Sequence, residues 1–127
     1  MIGVRLLALV ALSATSLTSV AAQSSTPAAV QIRVWSFGFA PSPIALKAGQ
    51  PVTLQFVNQS GSSHDFSAHR FFETSKIVAG AAPEGEIELR GHETKTVTLI
   101  PRAGTYPAHC SHFMHAPLGM RDEIVVN

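Results

Sequence analysis

Apolar and polar residues alternate with a period of two along much of the chain, the pattern of half-buried β-strands. Such alternation occurs over residues 31–35, 52–56, 86–90 and 96–99, and a short apolar run covers 124–126. Turn-forming residues separate these runs, at 41–43, 48–51, 58–63, 90–92 and 101–104. About seven short strands in one chain predict an all-β fold, a Greek-key antiparallel β-sandwich.

One segment departs from this pattern. Residues 68–82 show no period of two, and Phe71–Ile77 within them is predicted to form a helical turn or two. No internal repeat or interdomain linker divides the chain, so a single domain is expected over residues 30–127.

The N-terminus has the features of a signal peptide over residues 1–22. Arg5 provides a positive charge, Leu6–Leu12 is apolar, and small residues lead to an expected cleavage after Ala22. An uncleaved membrane anchor is the alternative, but the apolar run is shorter than the roughly 20 residues that span a bilayer. We therefore expect an exported protein without stable membrane insertion, periplasmic if the source is Gram-negative. Residues 23–29 are predicted to be a flexible lead-in.

Charge and cysteine content narrow the function. The 127 residues include nine Lys and Arg against eight Asp and Glu, a formal net charge of +1, so no basic excess indicates a nucleic-acid partner. The single cysteine, Cys110, cannot form an intrachain disulfide. In an oxidising compartment a free exposed thiol is a liability, whereas a metal-bound thiolate is protected.

The spacing of Cys110, His115 and Met120 suggests what this cysteine binds. A thiolate, an imidazole and a thioether five residues apart in one loop, joined by an upstream histidine, are the ligands of a His2Cys copper site with a weak axial methionine. His64 is the favoured upstream histidine because it follows the strand at 52–58. The competing histidines are His69, in the irregular segment, and His92, in a predicted exposed turn.

The chain resembles the cupredoxins, the small blue-copper proteins, from about Trp35 to Val126. The resemblance rests on the order of the segments 39–54, Asn58, 64–66, 103–106 and the ligand loop before Ile124. It implies one type 1 copper held by His64, Cys110 and His115, with Met120 axial. The gaps of four residues between the loop ligands are similar to those of rusticyanin-like cupredoxins and type 1 sites of multicopper oxidases. Asp65 stands where many relatives carry Asn, a residue that links the two ligand segments in the family.

Three functions follow from these residues. The favoured one is a one-electron carrier, not an enzyme, that docks a redox partner protein on the apolar rim 116–119 beside His115. The first alternative is a protein of copper tolerance or delivery that exchanges copper with copper-handling proteins, with His109, His112 and Met114 as a weak secondary capture site. The second is an oligomeric copper reductase in which His109, beside Cys110, leads to a second copper; against it, His109 is predicted to be a surface side chain.

Overall fold

Two five-stranded sheets form the fold. The computed structural model describes residues 18–112, 115 and 117–127. The strands are β1 (Ala28–Trp35), β2 (Gly38–Ala40), β3 (Ile44–Leu46), β4 (Val52–Asn58), β5 (His64–Ser67), β6 (Lys76–Ala79), β7 (Glu86–Leu89), β8 (Thr94–Ile100), β9 (Gly104–His109) and β10 (Arg121–Val126). The first sheet has the order β2-β1-β4-β8-β6, and the second β3-β10-β9-β5-β7. The predicted all-β sandwich is confirmed.

Most neighbouring strands are antiparallel, as predicted, but each sheet also contains one parallel pair. β1 lies parallel to β4, and β3 lies parallel to β10. In both pairs the chain leaves one strand and crosses other elements before it returns alongside. Parallel neighbours need such a crossover, which cannot be recognised from the alternation of single strands.

The alternating apolar positions form the core between the sheets. Val52, Leu54 and Phe56 of β4 are all buried, and the polar residues between them are more exposed. At the centre Phe66 lies with its ring centroid 5.0 Å from that of Phe56 and 5.4 Å from that of Phe39. Burial of each such aromatic side chain stabilises the fold by roughly 1.5–3 kcal/mol. Phe66 therefore holds β5, the strand that begins at His64, against the core.

The irregular segment contains one short helix and one strand. The helix α1 (His69–Thr74) confirms part of the predicted helical turns, but Ile77 belongs to β6 and pairs with Leu99. The backbone becomes extended at Ser75 (φ −82°, ψ 148°), which ends the helix. Phe71 and Phe72 bury the inner side of α1. A 3-10 turn, Pro83–Gly85, then leads into β7.

The N-terminal boundaries differ slightly from the expected ones. β1 begins at Ala28, so the last two residues of the expected lead-in, 23–29, pair with Val52 and Thr53 of β4. Residues 1–17 of the predicted signal peptide lie outside the described residues, and 18–22 are exposed. Within the described residues, no helix has the length and apolar character needed to cross a membrane.

Candidate metal centre

A hydrogen-bonded loop places His64 at the start of β5. The buried Asn58 amide donates from Nδ2 to the carbonyls of Ser62 (2.7 Å) and Arg90 (2.9 Å), and its Oδ1 accepts from the N–H of Ser60 at 3.0 Å. A Cβ on Gly91 would collide with the backbone of this loop. These contacts fix the path between β4 and β5, and His64 enters the strand with only 1% of its surface exposed.

The other predicted ligands lie in the loop between β9 and β10, as expected. Cys110 follows β9 and Met120 precedes β10, and both are completely buried. Backbone hydrogen bonds close the loop: the N–H of Cys110 donates to the Met120 carbonyl (3.0 Å), and the N–H of Met120 donates to the His115 carbonyl (3.0 Å). His115 in turn donates its N–H to the carbonyl of His112 at 3.1 Å. The loop therefore holds its own shape around the three side chains.

Three of the four predicted side chains converge on one point. Nδ1 of His115 lies 3.2 Å from Nδ1 of His64 and 3.3 Å from Sγ of Cys110. The ligand atoms of all three lie within 4.8 Å of one another. A proton on Nδ1 of His115 can satisfy only one of these contacts, whereas a cation satisfies all three atoms at once. Two imidazoles and a thiol are also the donors that soft and borderline transition metals prefer, so the residues fit a metal ion.

Burial favours the neutral forms of the His64 imidazole and the Cys110 thiol. Burial is the main cause that lowers the pKa of His64 below its usual 6.5, and the neighbouring His115 and His112 lower it further. The neutral imidazole that a metal requires is therefore favoured. Burial also raises the pKa of the Cys110 thiol, although the backbone N–H groups of Asp65 and His112 oppose that rise by bonding to the sulfur. A metal must therefore displace the thiol proton when it binds.

Asp65 links the two ligand segments. Its Oδ1 accepts the N–H of Ser111 at 2.6 Å, and its Oδ2 accepts the Ser111 hydroxyl. Because Asp65 follows His64 and Ser111 follows Cys110, these bonds tie the start of β5 to the ligand loop. The carboxylate makes this link by accepting only, so the substitution noted in the sequence preserves the connection.

The competing histidines lie elsewhere on the surface. His69 is exposed on α1, with Nε2 3.1 Å from the Ser67 hydroxyl and 3.6 Å from a carboxylate oxygen of Glu86. His92 is exposed in the turn before β8, with φ at 60°. Neither joins the His64–Cys110–His115 cluster.

The sequence did not point to Phe37, which packs against the site. Its ring meets the His115 imidazole edge to face, with centroids 5.3 Å apart, while 45% of its surface stays exposed. It lies in the turn between β1 and β2 with φ at 69°, a conformation that is uncommon for a bulky side chain. No pattern in the sequence predicts that this turn lies beside the ligand loop. The positive φ of this bulky residue, which the structure shows, indicates a local constraint on the backbone.

The three residues of the predicted capture site have different positions. His109 ends β9 and is partly buried, in register with Ser67 and Arg121 on the neighbouring strands. His112 instead pairs with Glu88, with Nε2 3.1 Å from Oε1. Met114 lies outside the described residues. The capture site therefore stays a prediction.

Sequence comparison assigns the family. A profile of the cupredoxin-like domain matches residues 5–126. The chain belongs to the cupredoxin-like family. This agrees with the resemblance inferred from the ligand loop and its flanking strands. No curated protein matches the chain.

Solved structures resemble this cupredoxin over most of its length. Auracyanin A, described as a "blue" copper protein of Chloroflexus aurantiacus, is 25% identical, with 80% of this chain and 100% of that chain covered at a TM-score of 0.58. Auracyanin from Roseiflexus castenholzii is 17% identical and covers 81% and 99% at a TM-score of 0.60. A multicopper oxidase from Campylobacter jejuni is 14% identical, covering 85% of this chain and 32% of that chain at 0.62. The last two likenesses concern the fold alone.

Proposed function

We propose that this cupredoxin is an exported one-electron carrier that binds one type 1 copper. The observation that carries the proposal is the convergence of Nδ1 of His64, Sγ of Cys110 and Nδ1 of His115 within 4.8 Å of one another. When bound at such a site, copper supplies a one-electron couple between Cu(I) and Cu(II). His64, Cys110 and His115 would be the principal ligands, and the buried Met120 the weak axial one.

The rigidity of the surrounding residues supports electron transfer. The Asn58 loop orients His64, the Asp65–Ser111 bonds join the two ligand segments, and the closed loop holds Cys110 and His115. Because these contacts join protein atoms and do not involve the metal, they hold the ligands in place when the charge of the centre changes. A centre that is ordered in advance loses little energy to reorganisation on each transfer.

The likeness to auracyanin A supports a carrier. That protein is 25% identical, the alignment covers 80% of this chain and 100% of the auracyanin A chain, and auracyanin A is described as a "blue" copper protein.

An apolar rim around His115 is the proposed docking surface for a redox partner protein. Phe37 contacts the imidazole and is 45% exposed, and Leu118 of the ligand loop is 57% exposed. Pro117, which precedes Leu118 in the chain, is exposed as well. A partner that covers this rim would approach the partly buried His115, which is the ligand closest to solvent.

The test is copper stoichiometry together with the visible spectrum of the purified protein after loading with Cu(II). We expect one copper per chain and an intense band from thiolate-to-copper charge transfer. Cys110→Ser should abolish the band, because the hydroxyl that replaces the thiol is not the soft donor that gives it. The control is His92→Asn, which removes an exposed histidine in a left-handed turn that asparagine tolerates. Persistence of the band in Cys110→Ser would refute the proposal.

Export is proposed from the N-terminal sequence. Expression in a Gram-negative host followed by mass spectrometry of the periplasmic fraction tests it, and the expected mature N-terminus is Gln23. Recovery of the protein with residues 1–22 still attached would show that the segment is not a cleaved signal peptide.

A further inference from the structure

A second group of metal-ligating side chains lies on the outward face of the second sheet. Ile87 and Leu89 of β7 face the core, so Glu88 between them faces outward. Asp65 of β5 is directly opposite Glu88 in the antiparallel pair and therefore shares its face. Two carboxylates are thus held side by side, an arrangement that is unfavourable unless a positive group neutralises it.

His112 completes the group from the ligand loop. Its Nε2 lies 3.1 Å and 3.4 Å from the two carboxylate oxygens of Glu88. One ligand atom each from Asp65, Glu88 and His112 can be chosen so that all lie within 4.8 Å of one another. None of these atoms belongs to His64, Cys110 or His115, so the cluster is chemically separate from the proposed copper site.

One ligand of the cluster is buried and fixed, and the other two are accessible to solvent. Asp65 is 1% exposed and is held by its two hydrogen bonds from Ser111. The side chains of Glu88 and His112 are 54% and 30% exposed, so an ion can reach them from solvent. Each carboxylate oxygen of Asp65 has a second lone pair that its bond to Ser111 does not use. The group can therefore take an ion without first breaking the Asp65–Ser111 link.

We propose that Asp65, Glu88 and His112 form a second metal site for a divalent first-row cation such as Zn²⁺. Two carboxylate oxygens and one imidazole nitrogen make up a set of three protein ligands that Zn²⁺ accepts, with remaining positions for water. The set contains no sulfur, so it favours harder cations than the thiolate site does. The ion would replace the His112–Glu88 hydrogen bond and neutralise the paired carboxylates.

The same sheet face offers a matched control. Glu86 lies two residues from Glu88 on β7 and pairs with His69, with 3.6 Å between Nε2 and Oε1. The residue opposite Glu86 on β5 is Ser67, not an aspartate. This second histidine–glutamate pair therefore lacks the third charged ligand, and we expect it to bind Zn²⁺ no better than an ordinary surface pair.

The experiment is isothermal titration of the copper-loaded protein with Zn²⁺, with the visible band recorded as a check on the first site. We expect one saturable Zn²⁺ site in the wild type and in Glu86→Gln. Glu88→Gln should weaken binding about tenfold or more, since losing even an outer partner of a metal site costs 10–100-fold. All three proteins should keep the same visible band.

Two results would overturn the second site. One is the absence of saturable binding up to about 1 mM Zn²⁺, the range of very weak association. The other is equal binding by Glu88→Gln and Glu86→Gln. Failure of the proposed copper function would appear separately, as a missing visible band. In a chain without copper, Zn²⁺ would also fill the His64–Cys110–His115 cluster. The outer site would then be the second equivalent of Zn²⁺, which Glu88→Gln should weaken and Glu86→Gln should keep.

Discussion

Replacement of Asp65 tests whether the link between the two ligand segments stabilises the fold and the site. Asp65→Ala removes the acceptor of two hydrogen bonds, from the N–H and the hydroxyl of Ser111. A hydrogen bond to a charged group contributes about 1.5–3 kcal/mol. Ser111 itself is exposed, so water can replace part of this interaction. We therefore expect a loss of about 2–4 kcal/mol in the free energy of unfolding of the metal-free protein.

Asp65→Asn is the matched variant because it keeps the shape of the side chain. Its amide oxygen can accept the Ser111 N–H, and its amide nitrogen can donate to the Ser111 hydroxyl oxygen. It also removes one of the two facing carboxylates of Asp65 and Glu88. The expected loss is about 1 kcal/mol or less. In the copper-loaded protein the same variant should raise the reduction potential, because removal of a negative charge beside the centre disfavours Cu(II).

Urea denaturation of the metal-free proteins measures the two free energies, and voltammetry of the loaded proteins measures the potential. A smaller stability of Asp65→Asn than of Asp65→Ala would contradict the role assigned to the hydrogen bonds. So would an Asp65→Ala protein within about 0.5 kcal/mol of the wild type, the effect of an ordinary surface substitution.

Substitutions at three further positions test the proposed site. Phe37→Ala should slow electron self-exchange about fivefold, the effect of losing roughly 1 kcal/mol at an interface. The control Phe37→Leu should keep the rate near that of the wild type. Equal rates in all three proteins would show that docking does not use Phe37. Met120→Leu should retain copper and raise the reduction potential measured by voltammetry, and complete loss of copper would make Met120 a principal ligand. Metal-free wild type should lose stability as the pH falls below 6.5, because the unfolded chain protonates His64 while burial lowers its folded pKa. The loss in the free energy of unfolding, measured by urea denaturation, should be at most about 1.4 kcal/mol per pH unit and absent from His64→Gln. Parallel pH profiles of the wild type and His64→Gln would contradict this role of His64.

The strands that the sequence predicted well are those with one buried face. β4 alternates over its whole length and β8 over residues 96–100, and their apolar positions Leu54, Val97 and Leu99 are core residues. β5 did not show this pattern, because all four of its residues are buried, including His64 and Asp65. Its polar residues are buried through contacts with other segments, which periodicity within one strand cannot reveal.

The ligand loop was predictable because its residues are close in sequence. Cys110, His115 and Met120 lie within eleven consecutive positions, and their chemical types limit what they can bind. The contacts between distant segments were not predictable in this way. The pairing of Asp65 with Glu88 depends on the register of β5 against β7, and the contact of Phe37 with His115 depends on two loops meeting at one end of the sandwich.

The two proposed metal sites share the ligand loop, and its geometry explains how they stay distinct. At the end of β9, Ala108 and Cys110 are buried toward the core, whereas His109 between them is directed to the other face. Beyond Cys110 the chain turns, so that His112 meets Glu88 on the outward face while His115 returns to Cys110. Asp65 contributes to both sides: its backbone N–H bonds to the Cys110 sulfur, and its carboxylate faces Glu88. An ion at the outer site would therefore add positive charge next to a residue that contacts the thiolate. Occupation of the outer site by Zn²⁺ should for this reason raise the reduction potential of the copper centre in the wild type and in Glu86→Gln, but not in Glu88→Gln.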